Sequence, residues 1–374
     1  MNGPPVQAAL MNSYASIRMR MPGKARRETP PAPRRLTMKQ IGQLVGVSQS
    51  TVSRVLSGAA SIVPVAEDTR ARILQVVAES GYTPNPLARA LRGARTGLLG
   101  LIVRDIDDPF FGMAIAAITA VARDTGYNVV LGHVRSSAAE AIALREVLEM
   151  GHCDGAILLG DLRDQTRLLG DLVGHPTPLV GVWQGGRART IPVVNVDNRA
   201  GVAVAVQHLL ELGHQRIAFL QGGRTGDGIE RRDAFLAAMR ARDLDSADEY
   251  VQVADNAFSD AAMAMDRLLS LSRRPTAVLA STDVAAIGAL KAASRAGLRV
   301  PDDLSLVGFD DIPLAEFVIP SLTTVHQPID QIARASLQQL LKLIGGAQPK
   351  PRQQTLLPSL VVRDSTAPPP KELA

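Results

Sequence analysis

Apolar residues first recur at helical spacing between Thr37 and Arg54, in TMKQIGQLVGVSQSTVSR. Met38, Ile41, Leu44 and Val45 form one stripe of a short helix, with Thr37 placed to cap it. Gly46 breaks the pattern where a helix end favours a residue without a β-carbon. Val47 turns inward, and Ser48 can accept hydrogen bonds from the free amides of a second helix over 49–56. That helix directs Val52, Val55 and Leu56 inward and Gln49, Ser50, Ser53 and Arg54 outward. Short polar side chains and an arginine on an exposed helix suit entry into a DNA major groove. An ordinary surface helical hairpin carries the same pattern. A third helix is expected over Glu67–Ser80, with Ile73, Leu74, Val76 and Val77 inward and Gly81 at its end. Pro86 then suits a first helical turn capped by Asn85, with room for about two turns before Gly93. So short a helix is marginal alone and calls for DNA or a partner subunit.

From Leu98 the pattern changes to short apolar runs alternating with amphipathic helices. Strands are expected at 98–103, 127–134, 155–159, 178–182 and 193–196, with helices at 110–125, 138–150 and 201–212. The rhythm resumes with strands at 216–220, 250–253, 277–280 and 304–309 and helices at 229–240, 259–271 and 284–295. Such alternation builds parallel sheets through right-handed crossovers. The run is too long for one compact sheet, so two α/β lobes are expected, divided near 195–199. Lobes of this kind bind ligands at the carboxyl ends of their strands and in the cleft between them.

Charge distribution separates the two regions further. Residues 1–95 hold fourteen Lys and Arg against four Asp and Glu, a local charge of +10, while the remainder carries −5. A basic head on a neutral-to-acidic body is the footprint of polyanion binding. Arg54, Arg70, Arg72, Arg89, Arg92 and Arg95 lie in patterned sequence, beyond any solubilising tail. Residues 1–36, with six prolines and seven basic residues, have little to bury and are expected to be disordered. They show no apolar signal core, and the single cysteine, Cys153, fits a reducing compartment. Export is therefore not expected.

Seven stretches in consistent order then carry a resemblance: TMKQIGQLVGVSQSTVSRVLSG, TPNPLARALR, GLIVRDIDDPFF, VDNRAG, HLLELGHQRIAFL, GLRVPDDLSLVGFDDIPLAEF and PSLTTVHQP. Together they resemble the LacI-type (lactose-repressor) bacterial transcription regulators across roughly residues 37–366. The resemblance implies an N-terminal all-α helix-turn-helix head and hinge helix joined to a two-lobed periplasmic-binding-protein-like α/β body. It also implies a cytoplasmic homodimer on a palindromic double-stranded operator, controlled by a small-molecule effector in the cleft, with no cofactor and no membrane. The expected division is a tail at 1–36, a DNA-binding domain at 37–81, a hinge at 82–96, an effector-binding and dimerisation body at 97–366, and a disordered tail at 367–374. Lobe crossovers are expected near 195–199 and 320–327.

Carried over by position, Gln49, Ser50 and Arg54 match base-reading residues, and Thr37, Ser48, Thr51 and Ser53 phosphate-contacting or capping ones. In the hinge, Asn85, Ala88 and Leu91 match the DNA-facing side, with Leu91 as the minor-groove wedge. The 59–65 turn is about three residues longer than in the lactose repressor. In the body, Asp105, Asp108, Phe110 and Phe111 match the ligand loop after the first strand. Arg231, Asp310 and Gln327 match further effector-binding positions. Thr282 stands where an asparagine is usual, Asn256 lies near a position often aromatic, and Trp183 and Gln184 are placed on the cleft rim. An aromatic pair beside carboxylates suits a sugar, which has an apolar ring face and a rim of hydroxyls.

Other classes fit less well. The glycine-rich loop over 221–228 lacks GxGxxG spacing and a Walker lysine, so a nicotinamide-dependent enzyme is a poor alternative. The histidines are scattered, and His214 reads as a structural residue between a helix and a strand. A sugar-binding protein without a DNA role fits the body but leaves the basic head unexplained. A regulator answering to a protein partner or a phosphorylated metabolite is a third possibility.

Overall fold

The computed structural model describes residues 36–57, 64–82, 95–133, 152–161, 176–184, 191–223, 226–244 and 248–371. The hinge residues Asn85, Ala88 and Leu91, the helix expected over 138–150 and most of the 59–65 turn lie outside the described residues. The chain divides into two compact units, 1–85 and 86–374.

The first unit packs α1 (Met38–Val45), α2 (Gln49–Ser57) and α3 (Glu67–Ser80) around Ile41, Val52 and Ile73, all fully buried. Thr37 caps α1 through a reciprocal box with Gln40, in which each side chain bonds the other residue's backbone N–H. Gly46 ends α1 at φ 76°, a left-handed conformation that favours glycine. Gly42 lets the turn fold back, since a β-carbon there would meet the Val47 carbonyl at 2.7 Å. Arg72 of α3 donates to the Val45 carbonyl at 3.0 Å and ties the third helix to the end of the first. Leu44 departs from its helical stripe. It is 63% exposed, because Ile41 and Val45 already fill the face that meets α2 and α3.

The second unit contains two six-stranded sheets. The first lobe uses β1 (Leu98–Val103), α4 (Pro109–Asp124), β2 (Asn128–His133), β3 (Gly155–Leu159), β4 (Leu179–Val182) and β5 (Val193–Val196). The chain leaves it at Asp197, which caps α5 (Asn198–Glu211) by accepting from the Ala200 N–H. The second lobe follows with β6 (Ile217–Gly222), α6 (Asp227–Arg240), β7 (Val251–Ala254), α7 (Phe258–Leu269) and β8 (Ala277–Ala280). It continues through α8 (Asp283–Arg295), β9 (Ser305–Asp310), α9 (Leu314–Phe317) and β10 (Thr323–His326). The chain then returns at Gln327 and Pro328 to α10 (Ile329–Ile344), which packs on α4 and on β3, β4 and β5. It forms β11 (Gln353–Leu356) on the first sheet and crosses a third time at Leu357 and Pro358 to β12 (Ser359–Val361). Neither α10 nor this third crossing was expected from the apolar pattern.

Strand order is β11-β5-β4-β3-β1-β2 in one sheet and β12-β10-β9-β8-β6-β7 in the other, parallel except for β12 against β10. Central strands such as β3, β4, β6, β8 and β9 are buried on both faces, which explains their unbroken apolar runs. In each sheet the order reverses beside one strand, β1 in the first and β6 in the second. Crevices at such reversals open at the carboxyl ends of the strands. Those ends carry the site.

The tail expected to be disordered from 367 begins on a residue held by hydrogen bonds. The Ala367 N–H donates to Ser305 Oγ at 3.0 Å, and its carbonyl lies 2.8 Å from His214 Nε2. His214 is buried between α5 and β6, also bonding Thr276 and Ser305, and burial lowers its pKa. A neutral imidazole thus stitches the C-terminal strap, helix and sheet together. Cys153 is buried, its thiol pushed up to about 11 by burial and by Asp154, as befits a small hydrophobe.

Candidate functional site

In the head, Ser48 Oγ accepts the Thr51 N–H at 3.2 Å and so satisfies an amide at the start of α2. The same hydroxyl lies 2.7 Å from Ser50 Oγ and 2.9 Å from Thr51 Oγ1. Gln49 and Ser50 are exposed, with their side chains on the first turn of α2. Arg54 is less outward than its sequence position indicates. It is half-buried, and its Nη2 donates to Thr51 Oγ1 at 3.3 Å, one helical turn back. Ser53 is likewise half-buried, and Thr37 is exposed at the start of α1. Among its described side chains, α2 thus presents Gln49 and Ser50 exposed and Arg54 folded back along the helix.

In the body, one cleft gathers the ends of strands from both sheets. Arg104, Asp105 and Asp108 follow β1, Gly160 and Asp161 follow β3, and Trp183 follows β4. Opposite them stand Gly222 and Gly223 at the end of β6, Asn256 after β7, Thr282 after β8 and Asp310 closing β9. The space measures about 660 Å³ to its open mouth. It is a narrow slot suited to one small compact molecule. Ten expected effector residues separate here: all but Gln327 line the slot.

Gln327 lies behind the wall, fully buried at the crossing between lobes. Its Oε1 accepts from Trp183 Nε1 at 2.9 Å, and its Nε2 donates to Asp310 Oδ1 at 2.7 Å. It therefore joins a first-lobe tryptophan to a second-lobe aspartate. Trp183 and Gln184 are not on the rim. Both are 2% exposed: Trp183 packs edge-on against Phe110 at 4.7 Å and Phe111 at 6.1 Å, and Gln184 bonds the Gly160 carbonyl. Trp183, the residue after β4, takes φ 53°. Asp310 and Asp311 also take positive φ, at 120° and 56°. Non-glycine residues held there cost about 1–3 kcal/mol each and cluster where function requires a fixed geometry.

Arg231 projects from α6 with its Nε donating to Asn198 Oδ1 at 2.7 Å. Its Nη1 donates to the Ser281 carbonyl at 2.6 Å and meets Asp310 Oδ1 at 3.3 Å, and the guanidinium lies over the Phe309 ring at 3.7 Å. Arg231 is 3% exposed and Asp310 also 3%. Burial pushes the Asp310 carboxyl well up, and Asp283 and Asp108 add to it against the pull of Arg231. Across the slot, Asn256 Nδ2 donates to Asp108 Oδ2 at 2.8 Å, while Thr282 donates to Asn256 Oδ1 at 2.8 Å. This three-residue ladder runs from one lobe to the other. Thr282 also caps α8, so the hydroxyl in place of the usual amide has a local duty. Asp108 likewise caps α4, and burial raises its carboxyl.

Three charged residues among those lining the slot escaped the sequence reading. Arg104 and Asp161 directly follow the apolar runs of β1 and β3, where ligand-facing residues of parallel sheets stand. Asp227 precedes Arg231 by one helical turn, so both share a face of α6. The loop dismissed for lacking dinucleotide spacing supplies Gly222, Gly223 and Gly228 to the same slot.

A helical head with an exposed polar start to α2, followed by a two-lobed parallel-sheet body with a strand-end cleft, defines a ligand-responsive regulator. Residues 37–85 match the bacterial regulatory proteins, lacI family, and residues 206–366 a periplasmic binding protein-like domain. The HTH-type transcriptional repressor CytR of Escherichia coli (strain K12) is 32% identical over 331 residues, 88% of this chain and 96% of its own. Among solved structures, the lac repressor dimer bound to operator and the anti-inducer ONPF superposes with TM-score 0.79 at 28% identity, covering 89% of this chain and 99% of that one. The complex of the transcriptional regulator CelR with cellobiose gives TM-score 0.66 at 29% identity, covering 88% and 100%. The chain belongs to the lacI family and is a transcriptional regulator. No helix among the described residues is long and apolar enough to cross a membrane.

Proposed function

We propose that this chain represses transcription as a homodimer on a palindromic operator and that a small polyhydroxylated ligand in the cleft sets its DNA affinity. The observation that carries the reading is the convergence of nine of the ten expected effector residues on one slot. They come from a chain whose head exposes Gln49 and Ser50 at the start of α2. In this reading α2 enters the major groove, Gln49, Ser50 and Arg54 contact base edges, and Ser48, Thr51 and Ser53 hold phosphates or cap the helix. Leu91 of each hinge wedges into the minor groove. The cleft binds its ligand without transforming it, and the protein works in the cytoplasm, where its DNA is.

The ligand acts through whichever lobe arrangement it prefers, since only differential affinity for two states moves an equilibrium. The sugar reading is supported by the aromatic trio Phe110, Phe111 and Trp183 beside carboxylates, and by the cellobiose carried by the CelR relative. The test measures affinity of the full chain for a DNA duplex selected from a random pool, with and without sugars that raise its Tm. Affinity should change with ligand in the natural protein and stay constant in Arg231→Ala. A normal ligand response in that variant would remove the cleft assignment.

A further inference from the structure

The three chain crossings between the lobes lie toward one side of the body. They occur after β5 at Asp197, after β10 at Gln327 and Pro328, and after β11 at Leu357 and Pro358. In the first sheet β11 and β5 are the end pair, and in the second β12 and β10 are. Only Leu357 and Pro358 separate β11 from β12, so these two ends are adjacent. At the opposite ends stand β1 and β2 in one sheet and β6 and β7 in the other. Lobes joined along one edge hinge there, and a rotation displaces the far side most.

Two hydrogen bonds between the lobes differ in their distance from that edge. The one from Trp183 ends on Gln327, inside a crossing, where rotation moves little. The one from Asn256 to Asp108 lies at the far side, because Asp108 follows β1 and Asn256 follows β7. At a strand spacing of about 4.8 Å, β1 stands about 14 Å from β5 and β7 about 19 Å from β10. A rotation of about 10° at the crossings therefore parts groups so placed by about 3 Å, enough to break a hydrogen bond.

Both ends of this bond are fixed. Asp108 Oδ1 accepts the Phe110 N–H at 2.9 Å, capping α4, while its Oδ2 faces Asn256. A carboxylate only accepts, so the amide nitrogen of Asn256 must be the end turned to it. The amide oxygen accepts from Thr282, whose hydroxyl accepts the Ala285 N–H at 3.1 Å and caps α8. Gly222 leaves space for this arrangement: a β-carbon there would meet Thr282 Oγ1 at 3.0 Å and Asn256 Oδ1 at 3.1 Å. One side chain thus ties the start of a first-lobe helix to the start of a second-lobe helix.

We infer that Asn256 is a positioning residue, a latch that holds the lobes together at the side opposite their crossings. On the reading that the slot is the effector site, this bond sets the lobe equilibrium on which the ligand acts. A hydrogen bond to a charged group carries enough free energy to move such an equilibrium about tenfold or more.

The experiment measures the separation of the lobes in the full chain without added ligand at pH 8. Spin labels are placed on Asn128→Cys in the first lobe and Ser272→Cys in the second, both exposed positions. Labelled chain is diluted into excess unlabelled chain, so that distances are read within one chain. Asn256→Asp sets two carboxylates face to face, and Asn256→Leu keeps the bulk but removes the donor. Both should shift the distances to longer values. Asp108→Asn combined with Asn256→Asp reverses the pair: the amide at 108 can still cap α4 and donate across the slot, and the carboxylate at 256 can still accept from Thr282. That double variant should restore the natural distances. Natural distances in both single variants overturn the inference, as does a double variant as open as Asn256→Asp. Affinity for selected DNA, measured on the same proteins, should change threefold or more in Asn256→Asp and return in the double variant. Distances that follow the latch while DNA affinity ignores it leave the latch standing and end the reading in which lobe arrangement controls the DNA.

Discussion

Gln49 and Ser50 are exposed and lie within one turn of the Ser48 hydroxyl that starts their helix. Arg231, Asp310 and Gln327 are almost wholly buried and reach one another from three segments far apart in the chain. The head therefore separates stability from recognition: Ile41, Val52 and Ile73 hold it together, and the polar start of α2 is left for a partner. The cleft merges the two, because the groups that line it also pair with one another and join the lobes. Substitutions should thus act on one property in the head and on both in the cleft.

The largest effect is expected from Asp310→Ala. It leaves the Arg231 guanidinium buried without its carboxylate and the Gln327 amide without its acceptor, and removing one partner of a buried pair costs about 3–5 kcal/mol. Urea unfolding of the body should show that loss, and ligand response should vanish with it. A variant that loses response at full stability would mean that recognition and stability are separate in the cleft too.

Stability against pH gives the next contrast. Asp283 is raised to about 7 by burial, although Thr324 and the Ile312 N–H both donate to its carboxyl. The folded protein keeps that proton where the unfolded chain has lost it. Its contribution is complete below about pH 4, the ordinary carboxyl range, and is lost as pH rises through about 7. Tm of the natural protein should fall across that window, and Asp283→Asn should flatten the fall. An unchanged slope in the variant would assign the dependence to other groups.

These contrasts explain what could be read in the sequence. Thr37, Gly46 and Ser48 act on neighbours within four residues, so capping, turn and helix phase were legible in the head. Unbroken apolar runs likewise marked β3, β5 and β8 at their observed bounds. The half-burial of Arg54 was not legible, because its Nη2 pairs with Thr51 one turn back and helical phase does not report such pairing. Trp183 was misjudged because its burial depends on Phe110 and Gln327, which local pattern cannot bring together. The helix α10 belongs to the first lobe while following the last strands of the second, so its partners are non-local. Asp161 and Asp227 were missed for the same reason, each being an ordinary polar residue until the other lobe faces it.

Smaller effects are expected in the head. Gln49→Ala removes an exposed side chain, so stability should stay within about 0.5 kcal/mol. Binding to selected DNA should weaken by about 1–3 kcal/mol, while binding to random DNA changes little. A loss of the same size on both DNAs would place Gln49 on phosphate. Thr37→Ala breaks the reciprocal cap of α1 and should cost about 1 kcal/mol of head stability by thermal unfolding. If Thr37→Ala instead weakens DNA binding at constant stability, its hydroxyl is a DNA contact first.

The most direct test of the central claim is a fluorescence-anisotropy titration of the full chain on the duplex it selects from a random pool. It is run with and without a cleft ligand found by thermal shift, in the natural protein and in Arg231→Ala. The account predicts about a 5–150-fold change in DNA affinity on adding ligand to the natural protein, and none in the variant. Equal ligand responses in the two proteins, or a natural protein whose DNA affinity ignores a ligand that binds it, would contradict the account.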